Sequence, residues 1–499
     1  MAAMEQNGRR FFWWVVLATT ALHVVIAVAT PVSGDEAYYW DCSRHLDWSY
    51  FDQPPLVIWA MVPFRAVLGE TGLAVRAPAI LASLLIAVGL LGVVRRLGGS
   101  ARQAALAYLL LHGTPLVLLG SSYASTDIAM IAAYTLAAWA AMAVADGELR
   151  AWWGFGLAIG LGFLAKFPMV LALTAIAAAV VWGEGRRHLR RATPYLAAAL
   201  AFACTTPVWI WSVQHDWVNI LFQLSGRHRA AGFTLKYLGE YLGANLLLVS
   251  PPLAVALAVA WWAACRRSEP AWRVAVVAAV TPLAFFGLLA LRSRMSPHWG
   301  LPGLVVAAAL LVLAPFRWRR GLVIGGVAFG LLLSAVVLAA VAFPERVLEL
   351  QWTYSGRPGR VSTSAAADII GYDEIVGELR DRLHPGELVA SSSYTLTHLI
   401  AFRSGGGLDT RLADVDRGRH GLASLYWYEP DELEGRDFLF VTASDRSRID
   451  DGLAAIFGSV EAQPPIEIIR QGRIVRRLRV LRCRDLREPV PALTRLTAP

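Results

Sequence analysis

The residues best suited to chemistry lie in a polar, aromatic stretch between two long apolar segments. Asp35 and Glu36 are adjacent carboxylates that follow an apolar run ending near Ala29. If that run crosses a bilayer, both acids lie at the membrane surface, where ionisable groups are costly and usually have a function. A carboxylate there could accept a proton from a nucleophile as a general base. A belt of interfacial aromatic residues with two solvated acids is the structural alternative.

The sequence around these acids reads GDEAYYW and then YFDQPPL, which supplies Tyr38, Tyr39, Asp52 and Gln53. This pattern resembles the first external loop of bacterial GT-C glycosyltransferases of the protein O-mannosyltransferase and lipid A aminoarabinose transferase type. The resemblance implies that Asp35 is the general base on the acceptor and that Glu36 positions it or the sugar. It further implies that the other four residues line the substrate pocket.

Lys166, at the external end of a predicted membrane segment, fits the same resemblance. The chain has only two lysines, Lys166 and Lys236, against 44 arginines. The segment GFLAKFP resembles a family motif whose lysine faces the donor phosphate; the alternative is a lysine that snorkels to the headgroups. Asp127, in YASTDIAM, either holds Lys166 or caps the following helix.

Other external residues are assigned by the same resemblance. In RSRMSPHWG, Arg292 and Arg294 are candidates to bind phosphate, and His298 and Trp299 are candidates to line the sugar pocket. Interfacial packing is the competing explanation for this turn. Arg65, on a short helix after the first loop, is a third candidate phosphate ligand.

A divalent metal is left as an open alternative, with Asp52, His215 and His228 as its candidate ligands. The two histidines are thirteen residues apart and make no helical metal-binding face, so a structural or solvated role is favoured. Gln53 stands where aminoarabinose transferases have lysine, so phosphate binding is not carried over to that position.

These residues must be positioned by a membrane-embedded scaffold. The chain has 499 residues, of which 56% are hydrophobic and 17% charged, and the apolar residues come in long blocks. This composition is typical of a polytopic α-helical membrane protein, and the blocks predict about eleven transmembrane helices. The arginine clusters near residues 9, 95, 186, 266 and 317 all fall on one side of this layout, which places the acidic loop and the C-terminus on the other, extracytoplasmic side.

The sequence divides near residue 344. Residues 1–343 are predicted to form the GT-C transmembrane catalytic domain, with external loops at 31–70 and 212–241. Residues 344–499 carry 21 arginines and 23 acids and have short apolar runs, which predicts an extracytoplasmic α/β domain without a catalytic motif of its own. A disulfide between Cys42 and Cys483 is conceivable from their positions but is not favoured.

The resemblance implies a glycosyltransferase of the bacterial inner membrane with its active site on the periplasmic side. The expected donor is a sugar on polyprenyl (undecaprenyl) phosphate, and the expected acceptor is lipid A, lipopolysaccharide or another envelope glycan. The excess of basic over acidic residues lies in the membrane loops, so no nucleic acid partner is expected. A protein O-mannosyltransferase and a lipid or solute transporter are the alternatives.

Overall fold

The computed structural model describes residues 2–226, 232–355, 367–413, 415, 421–428 and 430–487. Up to residue 343 the regular structure is helical. Two 3₁₀ segments, Phe167–Ala172 and Pro297–Gly300, lead directly into longer helices, and a short π-helical segment spans Phe222–Gly226. The α-helices of this part are α1 (Ala2–Ala29), α2 (Gly34–Cys42), α3 (Leu56–Leu68), α4 (Gly72–Arg96), α5 (Ala101–His112), α6 (Pro115–Gly120), α7 (Thr126–Ala145), α8 (Ala151–Ala165), α9 (Leu173–Trp182), α10 (Gly185–His188), α11 (Thr193–Gln214), α12 (Val218–Leu221), α13 (Leu235–Val249), α14 (Pro251–Ala264), α15 (Pro270–Leu289), α16 (Leu301–Leu313) and α17 (Arg319–Ala342).

Six helices of the described chain are long and apolar enough to cross a membrane: α1, α4, α7, α11, α15 and α17. Helices α13 and α14 meet at a bend of 100° and would make a seventh span if counted together. Shorter apolar segments lie at Leu56–Leu68, Ala151–Ala165, Phe167–Trp182 and Pro297–Leu313. The multi-span helical architecture is therefore confirmed, whereas the number eleven stays a prediction because it counts shorter helices as crossings.

One predicted span is interrupted. The sequence predicts a continuous helix over about 104–119, but α5 ends at His112 and α6 begins at Pro115. The side chain of Thr114 accepts a hydrogen bond from the amide of Val117 and caps α6. Pro115 occupies the first position of α6, where its missing amide proton costs nothing, so the chain restarts there instead of continuing α5.

The helices pack through small residues. Buried alanines recur on α4, α5, α7 and α16, and together they form a large part of the main apolar core. In a bilayer, small side chains let helix backbones approach closely, and the resulting van der Waals contact stabilises the bundle. Helix α7 lies at the centre of this packing, between α4, α8, α9 and α15.

One end of the bundle gathers charged side chains. Glu5 of α1 pairs with Arg95 at the end of α4. Arg96 pairs with Asp146 (3.4 Å) and with Glu148, both of which follow α7. The ends of three helices therefore meet at the face that holds the first arginine clusters of the sequence.

The C-terminal part contains a five-stranded sheet flanked by helices. The strand order is β2-β1-β3-β5-β4; β1 is parallel to β2 and β3, and β5 is antiparallel to β3 and β4. The predicted combination of helices and strands is confirmed, and the last two strands, of 14 residues each, are joined at Gln471-Gly472. The elements are α18 (Pro344–Ser355), α19 (Tyr372–Arg382), β1 (Leu388–Ser391), α20 (Tyr394–Arg403), β2 (Thr410–Leu412), α21 (Pro430–Leu433), β3 (Phe438–Thr442), α22 (Ser447–Ile456), β4 (Phe457–Arg470) and β5 (Arg473–Leu486).

One contact between this sheet region and the membrane part joins two helices. Helix α20 packs directly on α2, which carries the adjacent carboxylates. A Cβ atom added to Gly34 would lie 2.3 Å from Cγ2 of Thr395, so glycine is required for the approach. The four cysteines are free thiols, and both Cys42 and Cys483 are buried.

Candidate active site

A cavity of about 860 Å³ lies between the first loop, the bundle and α20. Its wall is formed by apolar side chains of the bundle together with a group of polar and aromatic residues. Ten of the residues that the sequence singled out border it: Asp35, Glu36, Tyr38, Tyr39, Asp52, Gln53, Asp127, Lys166, His298 and Trp299.

Helix α2 presents Asp35 to this cavity. Ser33 caps the helix: its hydroxyl accepts from the amide of Glu36, and the Glu36 side chain accepts from the amide of Ser33. This capping box places Asp35 in the first turn, where a negative charge is stabilised by the helix dipole. Asp35 is exposed, and its carboxylate accepts hydrogen bonds from the hydroxyls of Tyr394 (2.7 Å) and Tyr123 (3.3 Å).

Glu36 has a different environment from its neighbour. It is fully buried, and both its oxygens are occupied: Oε1 accepts from Nε of Arg76 (2.6 Å) and the amide of Ala124 (3.0 Å). Oε2 accepts from Nη2 of Arg76 (2.7 Å) and the amide of Ser33 (3.0 Å). All four of these hydrogen bonds come from within the protein, which favours a structural role, and the assignment of Glu36 as a catalytic residue stays a prediction. Glu36 fixes the start of α2.

Arg76 was not singled out from the sequence. Its guanidinium also donates to the backbone oxygens of Ala27, Thr30 and Pro31, so it ties the end of α1 to α2 and α4. The available signal was an arginine within the apolar run of α4, since a charged residue in a span has a partner or a function.

Lys166 lies where α8 ends, and its extended backbone turns the chain into the following 3₁₀ segment. Its ammonium nitrogen is 2.7 Å from both carboxylate oxygens of Asp127. His298 Nε2 is 3.6 Å from the same carboxylate, and the ammonium lies 5.4 Å from the centre of the Trp299 ring. The structure thus brings four predicted residues together. Asp127 holds Lys166, and the N-cap position of α7 belongs to Ser125.

The second half of the loop forms another hydrogen-bonded group. Asp52 accepts from the Tyr38 hydroxyl (2.6 Å) and from the amide of Gly421 (3.0 Å). Burial, followed by the charge of Asp52, raises the pKa of Tyr38, which keeps its hydroxyl a donor. The buried Nε2 of Gln53 has no hydrogen-bond partner in the described part of the chain, so it is an amide available to a ligand.

The three candidate arginines do not border the cavity as far as the structure describes it. Arg65 binds Glu70 (2.7 and 2.9 Å) and the Ser43 hydroxyl (2.8 Å). Arg294 is exposed and pairs with Glu240 (3.1 Å), and Arg292 is exposed as well. Arg65 and Arg294 thus have acidic partners, and the assignment of the three arginines as donor-phosphate ligands stays a prediction.

The two candidate metal ligands that the structure describes are Asp52 and His215, and neither belongs to a cluster of metal-binding side chains. No three His, Cys, Asp or Glu side chains within the described ranges form a group that could hold a metal ion. Nδ1 of His215 lies 2.9 Å from the carbonyl oxygen of Trp211. The imidazole also stacks on the indole of Trp211, with the ring centres 3.9 Å apart. His228 lies outside the described residues.

The C-terminal domain contributes residues that the sequence did not reveal. Tyr394, in the first turn of α20, reaches Asp35 across 359 positions of the chain. Further along α20, Nδ1 of His398 lies 2.8 Å from Oδ2 of Asp41. Phe402 packs edge-to-face on Trp40 at 5.2 Å. No local pattern distinguishes these contacts, because they depend on how two separate domains dock.

The chain is similar to several known proteins. Residues 52–211 match the family described as dolichyl-phosphate-mannose-protein mannosyltransferase. A lipid A galacturonosyltransferase, RgtD of Rhizobium johnstonii, is 26% identical over 77% of this chain and 82% of its own length. An undecaprenyl phosphate-α-4-amino-4-deoxy-L-arabinose arabinosyl transferase of Sodalis glossinidius is 29% identical, and the match covers 54% of each chain.

The fold also has a counterpart of known structure. The crystal structure of ArnT from Cupriavidus metallidurans bound to undecaprenyl phosphate superimposes with a TM-score of 0.62. The match covers 94% of this chain and 97% of that one at 16% sequence identity, so it concerns the fold alone.

Proposed function

Because this chain is a GT-C glycosyltransferase of the superfamily that includes protein O-mannosyltransferases and lipid A aminoarabinose transferases, we propose that it transfers a sugar from polyprenyl phosphate to lipid A or another envelope acceptor. The proposal takes its donor from relatives named for undecaprenyl phosphate-linked sugars and its acceptor from a relative named for lipid A. The sugar itself is left open, since those relatives transfer different sugars.

One observation carries the proposal: a single cavity contains both an exposed carboxylate and a lysine ammonium. Asp35 is held by two tyrosine hydroxyls, and Lys166 is held by Asp127. Sugar transfer from a lipid phosphate needs a base for the acceptor and a cation for the departing phosphate. The cavity offers one group for each task.

The proposed reaction is a single displacement. The acceptor oxygen attacks the anomeric carbon of the sugar while Asp35 accepts its proton. The bond from that carbon to the phosphate oxygen breaks, and polyprenyl phosphate leaves with its negative charge opposite Lys166. No second carboxylate is assigned as a nucleophile, and Asp52 is held by hydrogen bonds from Tyr38 and Gly421. Inversion at the anomeric carbon is therefore expected.

The orientation in the membrane belongs to the same proposal. The arginine-rich ends of the bundle lie in the cytoplasm, and the cavity and the C-terminal domain, residues 344–499, lie on the periplasmic side of the inner membrane. About eleven crossings, with several short ones, satisfy this arrangement. A polyprenyl donor could then enter along the apolar side chains of the cavity.

A second candidate differs only in the acceptor. The matching family is described by transfer of mannose to protein, and its match begins at Asp52 in the first loop. A protein hydroxyl would meet the same base. Glycan profiles of lipid A and of secreted proteins, compared by mass spectrometry with and without this protein, separate the two acceptors.

The function is tested with purified protein in lipid nanodiscs. Undecaprenyl phosphate carrying 4-amino-4-deoxy-L-arabinose or galacturonic acid is supplied with lipid A, and the product is read by mass spectrometry. Asp35→Asn is expected to lower the rate about 100- to 10,000-fold while undecaprenyl phosphate still binds. Asp146→Asn, an acid at the opposite end of the bundle, serves as the control. Full turnover in Asp35→Asn would remove the assignment of the base.

A further inference from the structure

The contact between the two domains lies at the reacting group itself. Oδ1 of Asp35 accepts a hydrogen bond of 2.7 Å from the hydroxyl of Tyr394, whereas the contact from Tyr123 is longer, at 3.3 Å. The stronger of the two donors to the candidate base therefore comes from the C-terminal domain. The membrane part alone leaves that oxygen without this donor.

We propose that Tyr394 is a positioning residue of the active site, which holds the ionised carboxylate of Asp35 toward the acceptor, so that the C-terminal domain completes the site. The inference rests on the proposed function of Asp35 as a base. It assigns to the C-terminal domain a direct part in the reaction, although this domain has no catalytic motif of its own.

The phenol is suited to this task because it stays protonated. Burial, followed by the negative charge of Asp35, raises the pKa of Tyr394 above its ordinary value. At neutral pH its hydroxyl is therefore a donor. A hydrogen bond from a neutral donor to a carboxylate favours the ionised state of that carboxylate and limits its orientations.

The position of the phenol is fixed by its own element. Tyr394 is the first residue of α20, and the side chain of Ser393 caps that helix by accepting from the amide of Leu396. The next residue, Thr395, is pressed against Gly34 at the start of α2. One turn further, His398 binds Asp41 at the other end of α2. Two helices in contact along their length thus set the distance between the phenol and the carboxylate.

The domain contact has a function only if it changes the chemistry of Asp35. A purely structural contact would affect stability alone, and its loss would leave the pH dependence of turnover unchanged. A contact that positions the carboxylate predicts, in addition, that its loss changes the pH dependence of turnover. Without the donor, the Asp35 carboxylate takes up a proton more readily, so activity is lost at a higher pH as the solution is acidified.

The test compares Tyr394→Phe with Tyr428→Phe in the full-length protein. Tyr428 lies in the same domain, half-buried under the guanidinium of Arg411 and beside His45. Tyr394→Phe is expected to lower kcat about 10-fold and to move the acid limb of the pH–rate profile to higher pH. Tyr428→Phe is expected to keep the profile of the parent. An unchanged acid limb in Tyr394→Phe overturns the proposal.

A second measurement needs no substrate. Protonated carboxyls react with a water-soluble carbodiimide and glycine methyl ester, and mass spectrometry reads the label on Asp35 as a function of pH. In Tyr394→Phe the labelling should reach half its maximum at a higher pH than in the parent. Equal labelling curves in the two proteins contradict the inference whether or not a donor sugar has been found.

A double variant separates this inference from the proposed function. In an Asp35→Asn background, Tyr394→Phe should have little further effect on the residual rate, because the carboxylate on which it acts is gone. A further tenfold loss would show that Tyr394 acts elsewhere. If the parent transfers no sugar while the labelling curves still differ, the proposed function fails and the positioning of Asp35 by Tyr394 stands.

Discussion

At the scale of residues, two neighbouring carboxylates have opposite surroundings. Asp35 faces the cavity and is exposed, whereas Glu36 is fully buried against Arg76. The difference follows from the helix: consecutive residues of α2 point about 100° apart, so that one side chain is exposed and the next is buried against Arg76 of α4. In the proposed function, the exposed acid is the one available to a substrate, while the buried acid holds the loop.

Glu36→Gln is expected to destabilise the protein by about 3–5 kcal/mol, since it leaves the buried charge of Arg76 without its partner. Thermal unfolding in detergent, monitored by the fluorescence of the many tryptophans, measures this loss. Asp35→Asn, which alters an exposed side chain, should unfold within a few degrees of the parent. Similar stability of Glu36→Gln and the parent would contradict the structural role of the pair.

Lys166→Ala is expected to weaken the binding of undecaprenyl phosphate and to lower turnover together, because it removes the cation proposed to face the phosphate. Lys166→Arg should recover only part of the binding and turnover, since a planar guanidinium fits the space beside Asp127 and Trp299 differently. Binding is measured by quenching of tryptophan fluorescence.

Lys236→Ala provides the matched control for this experiment. Lys236, the other lysine of the chain, lies at the start of α13. The Lys236→Ala variant should bind undecaprenyl phosphate as tightly as the parent. If Lys166→Ala binds undecaprenyl phosphate as tightly as the parent does, Lys166 is a headgroup anchor and not a ligand of the donor phosphate.

At the scale of elements, the contact between α2 and α20 determines how the C-terminal domain meets the site. Burial acts to raise the pKa of Asp41, but the hydrogen bond from His398 and the neighbouring positive charges outweigh it, so the pKa is lowered from the ordinary 3.8. A carboxyl group whose pKa is lower in the docked state stabilises docking above its ordinary pKa. That contribution is lost as the pH falls through the lowered value.

Hydrogen exchange of the α20 amides should therefore accelerate as the pH is lowered below 3.8, after correction for the intrinsic rate. Asp41→Asn should show fast exchange at neutral pH, with a loss of about 2 kcal/mol of docking free energy, and no further acid dependence in that range. Protection of α20 that is identical in the parent and in Asp41→Asn would mean that the pair does not hold the domains together.

At the scale of the whole molecule, the arrangement in the membrane can be tested independently of the chemistry. The ion pairs of Glu5, Arg95 and Arg96 gather one end of the bundle, and the cavity lies toward the other. A phosphatase reporter fused after Phe343 should be active outside the cytoplasm, because α17 begins at the arginine-rich end and leads away from it. A reporter active only inside the cell would reverse the proposed orientation.

The sequence by itself determined the features that depend on local composition and spacing. The apolar blocks predicted a multi-span helical protein, and the pattern GDEAYYW…YFDQPP identified the superfamily. Alternation and turn residues predicted the sheet of the C-terminal part. A contact between Asp127 and Lys166, 39 residues apart, was one of two alternatives that the sequence left open, and the two side chains meet at 2.7 Å. Each of these signals is local or was carried by a recognisable motif.

Only the tertiary structure decided which of two adjacent acids is exposed, which arginines pair with acids, and that Tyr394 reaches Asp35. Hydrogen bonds between residues 40 to 359 positions apart depend on the packing of whole helices and on the docking of two domains. Tyr394 has unremarkable neighbours in the sequence. Its partner Asp35 is determined by distance in three dimensions, which the periodicity of a chain does not specify.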